Sequence, residues 1–434
     1  MAEVSGALSR DIVVVGASVA GLHAAHAVAK MGRGLSVMVI GERVRPRYNL
    51  PLADRTGLTG PTDLDSTTLR ALSQLGSQGV DLRLGARASE LDLANQRILV
   101  GNGSVSYRAL VIACGCAPTI PALLTEESRV YTVGQREEVS ALRAVLADPS
   151  LAVAVIGAGL AGGETASRLR RAGRTVSLVD GSPEPMGRFG AVAVNSYAAL
   201  HHRAGVAPCF GDGVVEVVKD GLRRRLRLSS GTLVPADVIV IADGHRPATE
   251  WLESSGLALR DGIVCDAGLQ AYNHVFAAGD AARWSNPRYG TRMRGEQWTN
   301  AADQGRIAGL NAARSITRGA PDSYAGIPYR RSYQHGVRIQ LTGFLNGDER
   351  VVTQRTGEGE VALFGRENVL HGALAFEHQY LFDEVRAMLT DGVAWDAALA
   401  HVGAAVSTAR VPARSGPRLH DIGIRNAICH DVLP

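Results

Sequence analysis

Two stretches of this chain run from a short β-branched segment directly into a glycine-spaced turn and then into a small-residue helical pattern. Few folds accommodate that arrangement. The first stretch is Asp11–Val15, then Gly16-Ala-Ser18-Val-Ala-Gly21, then Leu22–Lys30. A further apolar run, Leu35–Ile40, ends at Gly41-Glu42 and completes a strand–helix–strand unit of about 30 residues. The second copy begins about 140 residues later: Ala152–Ile156, Gly157-Ala-Gly159-Leu-Ala-Gly162, a helix through Arg171, then Thr175–Val179 and Asp180. The duplication predicts an α/β chain with two Rossmann-like dinucleotide-binding domains.

The chemistry behind the spacing is specific. A dinucleotide pyrophosphate carries two negative charges, and a helix N-terminus offers unpaired N–H groups and a partial positive charge. Glycine is needed where the backbone turns sharply and approaches the phosphates. Gly16, Ser18 and Gly21 form the first such cradle, with Ser18 at the middle glycine position and small enough to serve there. Glu42 follows about 20 residues later, placed to accept from an adenosine ribose hydroxyl. Gly157, Gly159 and Gly162 form the second cradle, closed by Asp180. An acid there bonds both ribose hydroxyls and repels a 2′-phosphate, and the next arginine is Arg188. NADH is therefore expected over NADPH. Two cradles in one chain imply two cofactors, read most economically as FAD in the first and NADH in the second.

Composition closes off other classes. The 434 residues are 46% hydrophobic and 20% charged, enough for several cores and against a wholly disordered chain. No apolar run reaches the roughly 18 residues of a membrane helix, and Met1–Arg10 lacks a signal-peptide pattern. Five cysteines (114, 116, 209, 265 and 429) do not make a secreted disulfide framework, which points to the cytoplasm. The net charge of +4 is too small to argue for nucleic acid. Lys30 and Lys219 are the only lysines, so Schiff-base catalysis is not expected. No cysteine precedes residue 114, which removes a redox disulfide after the first unit. Cys114 and Cys116 read as small apolar filler rather than metal ligands. His23 and His26 have ligand-like spacing, but no metal site is expected.

Elsewhere, Val238–Ala242 and Val275–Ala278 resemble strands opening into the ligand loops Asp243–Pro247 and Gly279-Asp280. An acid in the second position can bind a flavin ribityl hydroxyl. Arg223-Arg224-Arg225 reads as a solvated hairpin, residues 321–334 as a polar connector, and 401–434 as a tail. Between them, short alternating strands and a helix at Tyr380–Leu389 suggest a third domain.

Taken in order, VVVGASVAGLHAA, AVIGAGLAGGETA, GVRIQLTGF and above all Val275–Gly309, which contains GDAARW and RGEQWTNA, resemble the FAD-dependent, NADH-oxidising ferredoxin reductases. These include the reductase components of Rieske dioxygenase systems. They share the pyridine nucleotide-disulfide oxidoreductase fold but lack the redox disulfide. The resemblance covers about residues 10–390. It implies a discontinuous FAD domain (1–115 and 244–320), an inserted NAD domain (116–243) and a C-terminal α/β interface domain (321–400). It places Gly16, Ser18, Gly21, Glu42 and the backbone at Ala88 on the adenosine half of FAD. It also implies flavin contacts from Gly115, Gly279, Asp280 and Trp298, with Glu296 as the accompanying acid. On the NADH side it adds Glu164 beside the nicotinamide and Gly244 to the cradle and Asp180. An acidic ferredoxin is the implied partner, docking on Arg283, Arg288, Arg292, Arg294, Arg330 and Arg331 of a monomer or homodimer.

Four departures concern the flavin environment. RYNLPLADR puts Arg55 where the family usually has a lysine, or Asp54 if the loop is one residue shorter; Arg55 would keep the charge and could pair with Glu164. Gly134 stands at a family arginine, Arg330–Gln334 replaces Phe-Trp-Ser-Asp-Gln, and Ala113–Pro118 reads Ala-Cys-Gly-Cys-Ala-Pro. The altered segments 47–55 and 330–335 motivate an alternative, an FAD-dependent oxidoreductase of a small organic substrate with His335, His245 or Tyr333 as proton donors. A nucleotide-holding interaction protein is a third possibility.

Overall fold

The computed structural model of the chain describes residues 7–44, 65–133, 136–221, 223–345, 347–356 and 359–408. They divide into two compact units. The first takes the described residues of 1–53 and 62–117 together with His245–Gly326; the second takes those of Pro118–Gly244 and of 327–434. Arg55 with the whole of the 47–55 segment, Gly134 and all of the expected tail beyond residue 408 lie outside the described residues.

In the first unit five parallel strands lie side by side in the order Val275–Ala277, Gly103–Ile112, Ala7–Val15, Val37–Gly41, Asp81–Leu84. In the three inner strands residues 12–15, 37–40 and 109–112 are unbroken apolar runs, the pattern of strands covered on both faces; Ile12, Val13 and Val14 are fully buried. Antiparallel strands extend the sheet at Gln270–Tyr272, Ala88–Asp92 and Arg97–Val100. The helix Val19–Lys30 packs on the long helix Trp298–Thr317. Gly305 and Gly309 permit the approach, since a Cβ at Gly305 would overlap the Ala20 carbonyl and one at Gly309 would press on Ala24. Backbone contact this close pins the start of the first helix.

In the second unit the order is Val206–Phe210, Val176–Asp180, Val153–Ile156, Val238–Ile241, Val130–Thr132, all parallel. A three-stranded antiparallel sheet contains Arg223–Leu228, hairpinned to Val214–Asp220. Arg223 turns back to the buried carboxylate of Asp237, 2.7 Å away. Beyond residue 327 come five antiparallel strands, Tyr329–Gln334, Val337–Gly343, Val369–Phe376, Gly359–Arg366 and Arg350–Thr356. One face of this sheet is covered by the helices Gln379–Asp391 and Trp395–Thr408 through Phe382, Val385, Trp395 and Val402. The other face sends Ile339, Leu341 and Phe364 into a core shared with Val153, Leu178 and Tyr197.

Two elements differ from those expected from the sequence. The expected connector 321–334 contains the edge strand Tyr329–Gln334, and the helix Trp395–Thr408 continues past residue 401, where a tail is expected. Among the described residues no helix is long and apolar enough to cross a membrane. Cys114, Cys116 and Cys265 are free thiols.

Candidate functional site: two dinucleotide cradles

In the first unit the expected residues gather where the parallel strands end, the place at which open α/β sheets bind ligands. Strand Ala7–Val15 leads into Gly16, whose φ of +112° no ordinary side chain adopts, and a Cβ there would overlap the Ala113 carbonyl oxygen. Gly21 lies in the first helical turn, where a Cβ would overlap the Gly16 carbonyl. Ser18 is the exposed N-cap, in extended conformation. The cradle thus fits a pyrophosphate: glycine wherever backbone meets backbone, and a small exposed residue where a ligand would approach.

Neighbouring strand ends supply the remaining positions. Glu42 follows Gly41 and is exposed, with a loose ion pair to Arg87 at 3.2 Å that holds it little. The Ala86 N–H donates to the Gly41 carbonyl at 3.0 Å, bringing the Ala86–Ala88 backbone alongside Glu42. Gly115, at φ +74°, turns the chain after Gly103–Ile112, and its carbonyl accepts from Ala248 N–H at 3.0 Å. Gly279, at φ +75°, ends Val275–Ala277; its N–H donates to Gln304 Oε1 at 2.9 Å, and a Cβ would sit 3.0 Å from Ala20.

Asp280 comes next, and burial pushes its carboxyl up to about 6. The Cys116 thiol donates to Asp280 Oδ2 at 3.3 Å. Cys116 is therefore not the apolar filler expected from the sequence; it bonds the acid assigned to the ribityl chain. Burial and the nearby charges of Asp280 and Glu296 hold the thiol well above its ordinary range, so it is a donor at neutral pH. Arg294 reaches Glu296 Oε1 at 2.6 Å, Asp261 Oδ1 at 3.2 Å and the Asp280 main-chain oxygen at 3.2 Å. His245 Nδ1 lies 3.2 Å from Glu296 Oε2. Burial pushes the Glu296 carboxyl up, but His245 and Arg294 outweigh it and leave the group below its usual value. Arg294 is thus committed to ion pairs at 13% side-chain exposure and is a poor docking residue, while Arg288 and Arg292 are exposed. Trp298 opens the long helix and meets His23 edge-on at 5.9 Å.

The second unit repeats the construction. Gly157 has φ +97°, and a Cβ at Gly162 would overlap its carbonyl. Gly159 is the N-cap of helix Leu160–Arg171, and a Cβ there would meet nothing within 4 Å. That glycine is not required by the protein's own packing, which leaves ligand approach as its physical reason. Asp180 accepts from Ala158 N–H at 2.6 Å and from Ser182 N–H at 2.8 Å, so it braces the turn while facing it. Asp243, at the end of the adjacent strand, has its carboxyl raised by burial and by the charge of Asp180. Gly244 follows at φ +77° and accepts from Thr119 N–H at 3.2 Å.

Glu164 lies one turn into the same helix and is buried. Arg168 donates to its Oε1 at 2.9 Å and Ser332 to its Oε2 at 3.0 Å. Arg55, the partner expected from the sequence, lies outside the described residues. No sequence motif marks Ser332, which lies 168 positions from Glu164, whereas Arg168 stands at the i+4 spacing that marks a helical ion pair. Arg330 and Arg331 are exposed on the edge strand.

The sequence profile described as Pyridine nucleotide-disulphide oxidoreductase matches residues 10–305. Among curated proteins the chain is 27% identical over 399 residues to the 3-phenylpropionate/cinnamic acid dioxygenase ferredoxin–NAD(+) reductase component of Photorhabdus laumondii, covering 89% of this chain and 99% of that one. It is 30% identical over 352 residues to the 5,5'-dehydrodivanillate O-demethylase ferredoxin reductase subunit of a Sphingobium species, covering 79% and 84%. Among solved structures it matches the ferredoxin reductase for the CYP199A2 system from Rhodopseudomonas palustris, with a TM-score of 0.80, 26% identity and coverage of 89% and 97%.

Proposed function

Because this chain belongs to the pyridine nucleotide-disulphide oxidoreductase family, we propose that it is an NADH-dependent flavoprotein reductase. It passes electrons from NADH through FAD to a ferredoxin-type iron–sulfur protein that serves an oxygenase. Bound FAD supplies the chemistry of accepting a two-electron hydride and releasing single electrons. The protein supplies binding, orientation and electrostatics. Residues 1–115 and 244–320 are assigned to FAD, 116–243 to NADH and 321–400 to an interface domain.

The observation that carries the reading is the pair of cradles, each with glycines that its own backbone demands and an acid at the next strand end. Gly16, Ser18, Gly21, Glu42 and Ala88 take the adenosine half of FAD, and Gly115, Gly279, Asp280 and Trp298 its flavin half. Glu296 sets the charge around that half through Arg294 and His245. Gly157, Gly159, Gly162, Asp180 and Gly244 hold NADH, with Glu164 beside the nicotinamide. Asp180 and Asp243 together make the ribose end hostile to a 2′-phosphate. With no cysteine before residue 114, electrons have no dithiol to enter and leave for an external acceptor. Relatives bearing the names of ferredoxin reductase components support that acceptor class. Exposed Arg288, Arg292, Arg330 and Arg331 suit an acidic partner.

Of the two segments that motivate the small-substrate alternative, 47–55 lies outside the described residues, and the other is committed to the protein's own bonds. Residues 329–334 form a paired strand, His335 is bonded to His201, and His245 lies against Glu296. The test is an anaerobic titration of the purified protein with NADH, followed in the visible spectrum. A yellow protein that bleaches with about one equivalent, and then reoxidises with ferredoxin or ferricyanide, is the expected result. A colourless protein that takes up no FAD overturns the reading.

A further inference from the structure

Behind Glu164, within the second unit, runs a continuous chain of polar side chains that the cradle itself does not require. Ser332 Oγ bonds Glu164 Oε2 at 3.0 Å. Gln334 Nε2 bonds Ser332 Oγ at 3.1 Å and the Leu160 carbonyl at 3.3 Å. His201 Nε2 lies 3.0 Å from Gln334 Oε1, and His335 Nε2 lies 3.0 Å from His201 Nδ1. Ser332, Gln334 and His201 are at most 1% exposed. His335 is the outer end; it lines a cavity of about 690 Å³ with Ser167, Arg168, Arg170 and Tyr333.

Donor logic gives this chain a single direction. The Leu160 carbonyl only accepts, so the amide nitrogen of Gln334 faces it and Oε1 faces His201. His201 must then donate from Nε2. Burial pushes its imidazole down to about 3, so at neutral pH it carries one proton and its Nδ1 is bare. His335, pushed down by burial to about 4, is also neutral and donates from Nε2 to that nitrogen. Ser332 Oγ also lies 3.3 Å from the Leu160 carbonyl, but the Glu164 carboxylate oxygen is the nearer and charged acceptor at 3.0 Å, so the donors run from His335 through His201, Gln334 and Ser332 to Glu164. Aligned bonds of this kind polarise one another.

The chain is built in from several elements. Gly163 makes room for it, because a Cβ there would overlap both Gln334 Oε1 and the Tyr197 hydroxyl. The Ser167 hydroxyl accepts the His335 backbone N–H at 2.7 Å. His335 itself sits at φ +52°, the tip of the turn between Tyr329–Gln334 and Val337–Gly343.

We propose that His201 and His335 are positioning residues for Glu164, fixing the Gln334 amide so that the Ser332 hydroxyl is held on the carboxylate that faces the nicotinamide. Without the His201 donor, the Gln334 amide loses the partner of its carbonyl and can rotate. Ser332 then loses the N–H that orients it. The proposal rests on the reading of Glu164 given above.

The test uses the flavin-loaded full chain, with two readouts. The first is equilibrium binding of NAD⁺ by calorimetry together with the half-saturating NADH for flavin bleaching. His201→Leu is expected to weaken both about tenfold, the scale of one hydrogen bond to a charged group. His201→Gln, whose amide nitrogen can stand at the Nε2 position, restores them to within about twofold. In a Glu164→Gln background, itself impaired, His201→Leu has no further effect, because it acts only through that carboxylate. The second readout is the imidazole ¹⁵N spectrum, which shows both rings as Nε2–H tautomers and a His201 signal that shifts in Glu164→Gln. If His201→Leu does not retain FAD, His335→Asn carries the same comparison, since asparagine tolerates the left-handed backbone. Multiplicative effects of His201→Leu and Glu164→Gln, or an Nδ1–H tautomer at His201, overturn the chain. An unimpaired Glu164→Gln single variant overturns the Glu164 reading instead, and the proposal with it.

Discussion

Asp180 Oδ2 accepts the Ala158 backbone N–H at 2.6 Å, tying the acid at the end of one strand to the glycine turn at the end of its neighbour. The bond separates two properties of this residue. Its geometry braces the turn, and its charge repels a phosphorylated ribose. Asp180→Asn keeps an acceptor for Ala158 and removes the charge. The amide has one acceptor oxygen, so the Ser182 N–H loses its partner. The expected outcome is a melting temperature lower by a few degrees, the scale of one backbone hydrogen bond, and a fall of about tenfold in the preference for NADH over NADPH, the size of a lost charge repulsion near a surface. Rates of anaerobic flavin bleaching with each nucleotide at subsaturating concentration measure it. An unaltered preference would place the discrimination elsewhere.

Gly159 and Gly162 look interchangeable in the sequence and are not. A Cβ at Gly162 would overlap the Gly157 carbonyl, whereas at Gly159 it would meet nothing within 4 Å. Gly162→Ala is expected to destabilise the second unit by about 3 kcal/mol or more, because backbone must move. Gly159→Ala should leave stability within about 1 kcal/mol and raise the half-saturating NADH concentration at least tenfold. Chemical denaturation and NADH titration of the two variants side by side check both halves.

The contrast between those glycines also shows what the sequence makes legible. Gly16, Gly21, Gly157 and Gly162 are dictated by backbone against backbone, so their spacing survives in one dimension. The buried parallel strands are legible because both faces are apolar. The edge strand Tyr329–Gln334 is not. Its inward positions are Ser332 and Gln334 and its outward ones Arg330, Arg331 and Tyr333, so no hydrophobic alternation marks it. Its inner face is polar because Glu164 and His201, each more than 130 positions away in the chain, bond it there. The Cys116–Asp280 pair is hidden for the same reason, with 164 positions between its members.

That pair makes a prediction of its own. The Cys116 thiol is protonated at neutral pH because burial and the carboxylates of Asp280 and Glu296 disfavour the thiolate. Iodoacetamide at pH 7.5 should therefore leave Cys116 unlabelled in peptide mass maps. Cys116→Ala removes the donor to Asp280 and is expected to weaken FAD retention about fivefold, read as released flavin fluorescence. Cys116→Ser keeps a donor and should retain FAD. Rapid alkylation, or an alanine variant as tight as the native protein, would count against the contact.

The two buried imidazoles predict how the protein responds to acid. In the unfolded chain a histidine titrates near 6.5, whereas His201 is pushed down to about 3 and His335 to about 4 by burial. Between those values the unfolded state binds more protons than the folded one. The stability is therefore complete above pH 6.5 and is lost as pH falls, by up to about 1.4 kcal/mol per pH unit for each proton withheld. The thermal midpoint should drop between pH 7 and pH 5 in the native protein. In His201→Gln, which has one fewer titrating group there, the drop should be visibly shallower. A pH dependence as steep in the variant as in the native protein would mean that His201 already takes up its proton in the folded state.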